Sequence, residues 1–373
     1  MSTHDSLAIK YRPKKLDDVI GQAVTVQTIG NAFKHGNLHH AYILAGNKGS
    51  GKTSVSRIMA AMENCTESKT EPCGECQNCK DIFSGRALDV KEIDAASNRG
   101  IDDMRDLKKE VQFNPVNCIK KYIILDECHS LTGYAAEAAL KLIEEPPKHV
   151  RFVLCTTRAD LLIDTIRSRC MLLRFNKINW LEIYHHLSGI AKQENLEFEE
   201  DALKLAAKAS KGSVRDSLQN LQTMISYEGK TLTYNAAREV LGFSDEKLYF
   251  SLFESVSEVD VPVAMQTVIQ MLSDGREARQ ITEGIEMHLR NLMIIATCAK
   301  DLTSFGFLED EIKLYKHQLS IIAKQNKIQL ILEWLKLLHD VHKGLIVNLD
   351  PQILLEKYVV EAIMEKKKSN YSK

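Results

Sequence analysis

The sequence has no charge excess of either sign. Lys and Arg number 49 and Asp and Glu 50, a formal net charge of −1, so no global basic field draws the chain onto nucleic acid. Any contact with DNA or RNA must come from a local patch or from a larger assembly. No apolar run reaches the ~18 residues of a membrane span. The opening stretch MSTHDSLAIKYRP has no apolar centre of the kind a secretory leader needs. A regular disulfide framework is also missing. There are nine cysteines, an odd number; four are clustered, and Cys118, Cys128, Cys155, Cys170 and Cys298 are scattered, with Cys155 inside an apolar run. That distribution fits reduced thiols in a cytoplasmic protein.

The residues that are present build cores. Apolar residues make up 44% and charged residues 27% of 373, ordinary values for a globular protein. The length allows two or three domains at roughly 100–200 residues each. The runs at 41–46 (AYILAG), 89–94 (DVKEID), 121–127 (KYIILDE), 151–157 (RFVLCTT) and 170–175 (CMLLRF) read as strands, the first of them buried. Helical patterns lie between them, as at 100–111 and 134–145, the latter stopped by Pro146-Pro147. Strands alternating with helices predict an α/β fold with a parallel sheet covered on both faces. Beyond about residue 177 only helical spacing remains. The expected division is an α/β domain over 1–177, a small helical domain over 178–242 and a larger all-α domain over 243–365. The residues 366–373, KKKSNYSK, are expected to form a solvated, disordered tail.

The run Gly46-Asn47-Lys48-Gly49-Ser50-Gly51-Lys52-Thr53-Ser54 fits G-x-x-x-x-G-K-[ST] between a strand and a helix. Gly46, Gly49 and Gly51 let backbone N–H groups curl around phosphates, and the helix N-terminus adds a favourable dipole. Lys52 supplies a point charge to the β- and γ-phosphates, and the Thr53 hydroxyl coordinates Mg²⁺. Such a loop needs a carboxylate at the end of a neighbouring strand. Asp126 is the candidate for the Mg²⁺ shell and Glu127 for the general base that polarises water. Alone, the pair would read as a solvated turn after a buried strand; with the phosphate loop upstream it argues for hydrolysis. Thr157, at the end of the next strand, is placed to orient the water or the γ-phosphate. Arg169 in TIRSRC and Arg215 in GSVRD are candidates to stabilise transition-state charge. Each also reads as an ordinary helix-surface arginine.

Cys65, Cys73, Cys76 and Cys79 lie in NCTESKTEPCGECQNC, an insertion over about 64–80. Four thiolates are the count that tetrahedral Zn²⁺ requires in a closed structural site, with no position left for a reacting water. An iron–sulfur cluster is the rival, since thiolates bind both. Pro72 and Gly74 permit the chain to knuckle around the metal.

Taken in order, KYRPKKLDDVIGQ, HHAYILAGNKGSGKTSVSRI, CGECQNC, EIDAASNRGIDDMRDL, LDECHSLT, LIEEPPKHVRFVLCTTRAD, IRSRC and GSVRDSL resemble the gamma/tau family of bacterial DNA polymerase III, AAA+ clamp-loader ATPases. The match is dense from residue 10 to about 225; the helical C-terminal third agrees in length and pattern. The resemblance implies an AAA+ module, a helical lid and a helical collar that holds a five-subunit ring. It implies that Arg169 reaches the nucleotide of a neighbouring subunit and that Arg215 senses nucleotide from the lid of its own chain. It further implies that Tyr11, Arg12, Pro13, Val19 and Ile20 border adenine and ribose, and that the metal is a structural zinc. Delta-prime relatives lose the phosphate loop, which this chain keeps.

The activity implied is ATP hydrolysis within a DNA polymerase III holoenzyme, whose reaction is nucleotidyl transfer by a DNA-directed DNA polymerase. The partners implied are delta- and delta-prime-like subunits, further copies of this chain, a sliding clamp and primed DNA. The place implied is the bacterial cytoplasm, at the nucleoid. The chain ends near where a short, gamma-like form ends, without the long tau extension. Arg99, Arg105 and Lys141 are candidates to grip DNA phosphates, Arg99 and Arg105 flanking a helix start whose N–H groups also favour phosphate. Solvated charges are the plainer reading of all three. Three other functions compete: a nucleotide-binding scaffold without turnover, a branch-migration helicase of the same superfamily and a zinc-based nucleic-acid reader.

Overall fold

The structure, a computed structural model, describes residues 6–371 apart from 69, 98–100, 132, 242–245, 299–301, 306, 308 and 323–326. The described residues divide into two compact units, 1–241 and 242–373.

In the first unit five strands form one parallel sheet: β1 (Ala41–Gly46), β2 (Val90–Asp94), β3 (Lys121–Asp126), β4 (Val150–Thr156) and β5 (Met171–Phe175). Their order is β2-β3-β4-β1-β5. The helices before β5 are α1 (Leu7–Lys10), α2 (Ala23–Lys34), α3 (Lys52–Asn64), α4 (Gln77–Phe83), α5 (Ile101–Glu110), α6 (Gly133–Glu144) and α7 (Asp164–Arg167). Each run expected to be a strand becomes one to within one residue at either end. The central strands β1, β3 and β4 are buried on both faces, so their sequences are continuous apolar runs, whereas the edge strand β2 is largely exposed and carries Lys91, Glu92 and Asp94.

Side chains of period two still separate the faces. Tyr42, Leu44, Ile124, Val153 and Cys155 pack on one side with Val55, Ile58 and Met59 of α3. Ile43, Ala45, Ile123, Leu125, Phe152 and Leu154 pack on the other with Met104 of α5 and Ala139 and Ile143 of α6. Register pairs Leu44 with Cys155 and with Leu173, and Leu125 with Leu154. The C-terminal ends of β1, β4 and β3 therefore lie side by side, and the phosphate loop, Thr157 and the Asp126-Glu127 pair all emerge at one edge of the sheet.

Helices α8 (Trp180–Gln193), α9 (Glu200–Ala209), α10 (Val214–Glu228) and α11 (Tyr234–Val240) follow, with a two-stranded parallel pair, β6 (Glu197–Phe198) and β7 (Thr231–Leu232). Asn179, Ser213 and Thr233 cap α8, α10 and α11 through side-chain oxygens that accept backbone N–H groups.

The second unit is helical: α12 (Glu246–Glu258), α13 (Val261–Ser273), α14 (Ala278–Thr297), α15 (Glu309–Ile322), α16 (Lys327–Ile346) and α17 (Pro351–Tyr371). Its core holds Phe253, Leu289 and Trp334, and the Trp334 indole donates to the Ala362 carbonyl at 2.9 Å. His288 stacks on Phe253 with centroids 5.1 Å apart and shares a 2.7 Å hydrogen bond with the Gln318 amide oxygen. Burial lowers its pKa to about 3, so the ring is a neutral core member that donates from Nε2.

Over 366–371 the expected disordered tail is corrected by α17, which runs to Tyr371; 372 and 373 lie outside the described residues. Lys366 is buried, and its ammonium donates to the Ile322 carbonyl at the end of α15. A lysine at a helix C-terminus satisfies an orphan carbonyl and meets the negative end of the dipole. A charge run read as solvated is thus partly a docking residue.

The Tyr358 hydroxyl is buried with no hydrogen-bond partner among the described residues. An unpaired buried hydroxyl destabilises. Tyr358→Phe is therefore expected to be as stable as the parent or more stable by up to ~1 kcal/mol; a denaturant midpoint that falls would show a partner for the phenol.

Candidate functional site

The phosphate loop follows β1 and turns into α3 through two left-handed glycines, Gly49 at φ +73 and Gly51 at φ +101. A Cβ on Gly46 would sit 2.3 Å from the Phe175 carbonyl oxygen, so only glycine passes under β5. Lys52 is the first residue of α3. Its ammonium is buried and donates to the Gly46 and Asn47 carbonyls at 2.8 and 2.9 Å. Burial pulls it below the usual lysine range, against the attraction of Glu127 and Asp126. The Thr53 hydroxyl donates to Asp126 Oδ2 at 3.1 Å, bringing the two Mg²⁺ candidates into contact.

Glu127 is not glycine, yet it stands at φ +46, a costly backbone position of the kind that collects at functional sites. Its Oε2 accepts the Thr157 hydroxyl at 3.1 Å and lies 3.4 Å from His129 Nδ1. His129 was not singled out in the sequence, and its only signal there was its place two residues past the carboxylate pair.

Lys52, Thr53, Asp126 and Glu127 border a cleft of about 260 Å³; Gly46, Asn47, His129 and Thr157 are not among the residues that line it. Tyr11, Arg12, Pro13, Val19 and Ile20 line it, as do residues 48–54, Asp126, Glu127 and Arg215. Tyr11 donates its hydroxyl to Glu194, and burial together with that carboxylate pushes its pKa up to about 12. Arg12 is lowered by burial and by the nearby Arg57 guanidinium, with Glu92 opposing. The helical segment closes onto the loop directly: Val214 N–H donates to the Gly49 carbonyl at 3.2 Å. Ile178, His186 and Leu218 also line the cleft. Burial lowers the His186 pKa, with Asp18 opposing. Sequence reasoning missed all three: His186 and Leu218 belong to helices whose apolar stripes read as ordinary core, and Ile178 lies in the connector between β5 and the helix that starts at Trp180.

The four clustered cysteines form a second site. One sulfur from each of Cys65, Cys73, Cys76 and Cys79 lies within 4.8 Å of all the others, and all nine cysteines are free thiols. Cys65 ends α3, and Cys76 caps α4 by accepting the Cys79 N–H. Cys73 Sγ accepts the N–H groups of Glu75 and Cys76 at 3.4 and 3.2 Å, in a turn that Gly74 makes at φ +77.

Amide donors aimed at sulfur favour thiolate. Burial works against ionisation of Cys76, but hydrogen bonds from Thr66 and Cys79 bring it down to about 6; Cys65 is lowered in the same way. Cys79 is raised by burial and by the neighbouring sulfurs. Converging thiolates repel one another, and a bound cation reverses the sign of that interaction. The donor set fits a tetrahedral, thiolate-bound metal with no open position.

A family model described as DNA polymerase III, delta subunit, matches residues 21–179, and one described as DNA polymerase III clamp loader subunit, ATPase lid domain, matches 182–227. The chain is 31% identical to the DNA polymerase III subunit gamma of Buchnera aphidicola subsp. Schizaphis graminum, over 97% of this chain and 99% of that one. The chain belongs to the DNA polymerase III gamma/tau family. It is also 38% identical to the tau/gamma subunit of Haemophilus influenzae over 73% of its own length, and the match spans 40% of that longer relative. Among solved structures, the Thermotoga maritima RuvB Holliday junction branch migration motor is 18% identical with a TM-score of 0.48, over 67% of this chain and 80% of that one.

Not every candidate of this gamma/tau chain reaches the cleft. Arg169 pairs with Glu144 at 2.8 Å and donates to the Thr165 carbonyl at 2.9 Å, and it is not among the residues that line the cleft. Arg105 on α5 and Lys141 on α6 are exposed, and the two helices pack on one another. Arg99 lies outside the described residues. No helix among the described residues is long and apolar enough to cross a membrane.

Proposed function

We propose that this chain is the ATP-hydrolysing subunit of a bacterial clamp loader, which uses ATP to load a sliding clamp onto primed DNA. The observation that carries the reading is a single cleft bordered by Lys52, Thr53, Asp126, Glu127 and Arg215, in a chain of the gamma/tau family. The loop N–H groups and the start of α3 cradle the triphosphate. Lys52 exchanges the Gly46 and Asn47 carbonyls for phosphate oxygens. Mg²⁺, held by Thr53 and Asp126, neutralises phosphate charge when bound. Glu127 takes a proton from the attacking water while Thr157 and His129 steady its carboxylate. Arg215 brings positive charge from the lid, and Tyr11, Arg12, Pro13, Val19 and Ile20 receive the base and ribose.

In this reading residues 1–177, 178–242 and 243–365 are the AAA+ domain, lid and collar. Arg169, tied to Glu144 beyond its own cleft, serves the nucleotide of an adjoining subunit. The partners are delta- and delta-prime-like chains and copies of this one in a five-subunit ring, working in the cytoplasm. Arg105 and Lys141, with Arg99, meet DNA phosphates inside the ring, so affinity falls as salt rises. The four cysteines hold structural Zn²⁺. Nucleotidyl transfer belongs to other chains of the holoenzyme.

The test is phosphate release by the reconstituted complex. Primed DNA and clamp together are expected to raise its rate several-fold over the complex alone. A complex that binds ATP yet releases no phosphate under any of these conditions would make the chain a nucleotide-binding scaffold.

A further inference from the structure

We infer that the four-cysteine site braces the loop leading into β3, so that metal occupancy sets the pose of residues 114–120. The inference rests on the reading that the cluster holds a metal, and it gives that metal a purpose the phosphate chemistry does not supply.

Two asparagines carry the connection, and each is the chain neighbour of a ligand. Asn64, just before Cys65, is buried. Its amide donates to the Lys120 carbonyl at 3.0 Å, and its oxygen accepts the Lys120 N–H at 2.8 Å. Asn78, just before Cys79, donates to the Asn64 carbonyl at 2.9 Å and to the Asn117 carbonyl at 3.3 Å. A third group closes the clasp. The buried carboxylate of Asp89 accepts the N–H groups of Val116, Asn117 and Cys118 at 2.8–3.0 Å.

The loop needs such a clasp. It has no regular secondary structure between Val111 and Lys121, and it holds Val116 and Ile119 out at 72% and 64% exposure. Apolar side chains in water do not order a loop; buried polar partners do.

The metal enters through α4 and the turn before it. Without a cation, no covalent bond ties the four sulfurs that lie within 4.8 Å of one another, and the 65–76 segment has little apolar surface to hold it closed. Spreading the sulfurs moves Asn78 relative to Asn64 and opens the bonds to Asn117 and Lys120. The loop joins β3 at Lys121, whereas Asp126 ends that strand at the cleft. Six strand residues span about 17–20 Å, so loosening the loop should leave the phosphate site intact.

The experiment uses the full chain, first assayed for bound metal by elemental analysis. Amide hydrogen exchange is then followed by mass spectrometry in the metal-loaded chain and after a chelator under reducing conditions. Stripping is expected to speed exchange at 117–120 by about tenfold or more, with β1 and ATP affinity unchanged. Asn78→Ala, which touches no ligand, is expected to keep its metal and still speed exchange at Lys120 about threefold or more. A loop unchanged on stripping, or β1 loosened as much as the loop, overturns the brace while leaving the metal site standing. A chain that binds no metal overturns both.

Discussion

Glu127→Gln is expected to lower ATP turnover by about 10²–10⁴-fold, the usual worth of a positioned general base, while ATP affinity stays within about threefold of the parent. The substitution removes a proton acceptor and little else. Glutamine has the shape of glutamate, and its amide oxygen can still accept the Thr157 hydroxyl that now lies 3.1 Å from Oε2. The strained backbone at φ +46 belongs to the turn after β3 and is not relieved by changing the side-chain terminus. Lys52, Thr53 and Asp126, the groups assigned to phosphate and Mg²⁺, are untouched. Single-turnover phosphate release gives the rate, and calorimetric titration gives the affinity. Turnover at the parental rate would remove Glu127 from the chemistry; lost binding would make it a structural carboxylate.

Gly49→Ala is expected to weaken ATP binding by at least about thirtyfold, which corresponds to about 2 kcal/mol. Two effects add. The residue sits at φ +73, where an L side chain costs about 1–2 kcal/mol. The new Cβ would also lie 2.0 Å from Ser213 Oγ and 3.0 Å from Ser213 Cβ. The loop can relieve that clash only by drawing away from the lid, which breaks the 3.2 Å bond from Val214 N–H to the Gly49 carbonyl and moves Arg215 with it. Pairing the change with Ser213→Gly separates the two effects. Glycine is almost as good a helix cap as serine, and it removes both close contacts, so the double variant should regain part of the affinity. If Gly49→Ala binds ATP normally, the observed approach of lid and loop is not the one that nucleotide selects.

Local signals made much of this legible in the sequence. A parallel strand buried on both faces is written as an unbroken apolar run, so β1, β3 and β4 could be located to a residue. The phosphate loop and the cysteine cluster are short motifs in which spacing is the chemistry. Strand order was not legible, because it depends on which distant runs pair.

His186, Ile178 and Leu218 were hidden for the same reason. Each reaches the cleft only after the lid has folded over the loop. Asn64 and Asn78 carry no motif at all; their meaning comes from Lys120 and Asn117, dozens of positions away. The error over 366–371 is of one kind with these. Three successive lysines look solvated until a carbonyl at the end of another helix takes one of them.

That last contact bears on how the protein should be handled. Trimming at Glu365, the cut the basic run invites, would remove more than one turn of α17 and leave the Ile322 carbonyl without the ammonium that covers it. Expression boundaries and affinity tags are better placed beyond Tyr371, where they leave this staple in place.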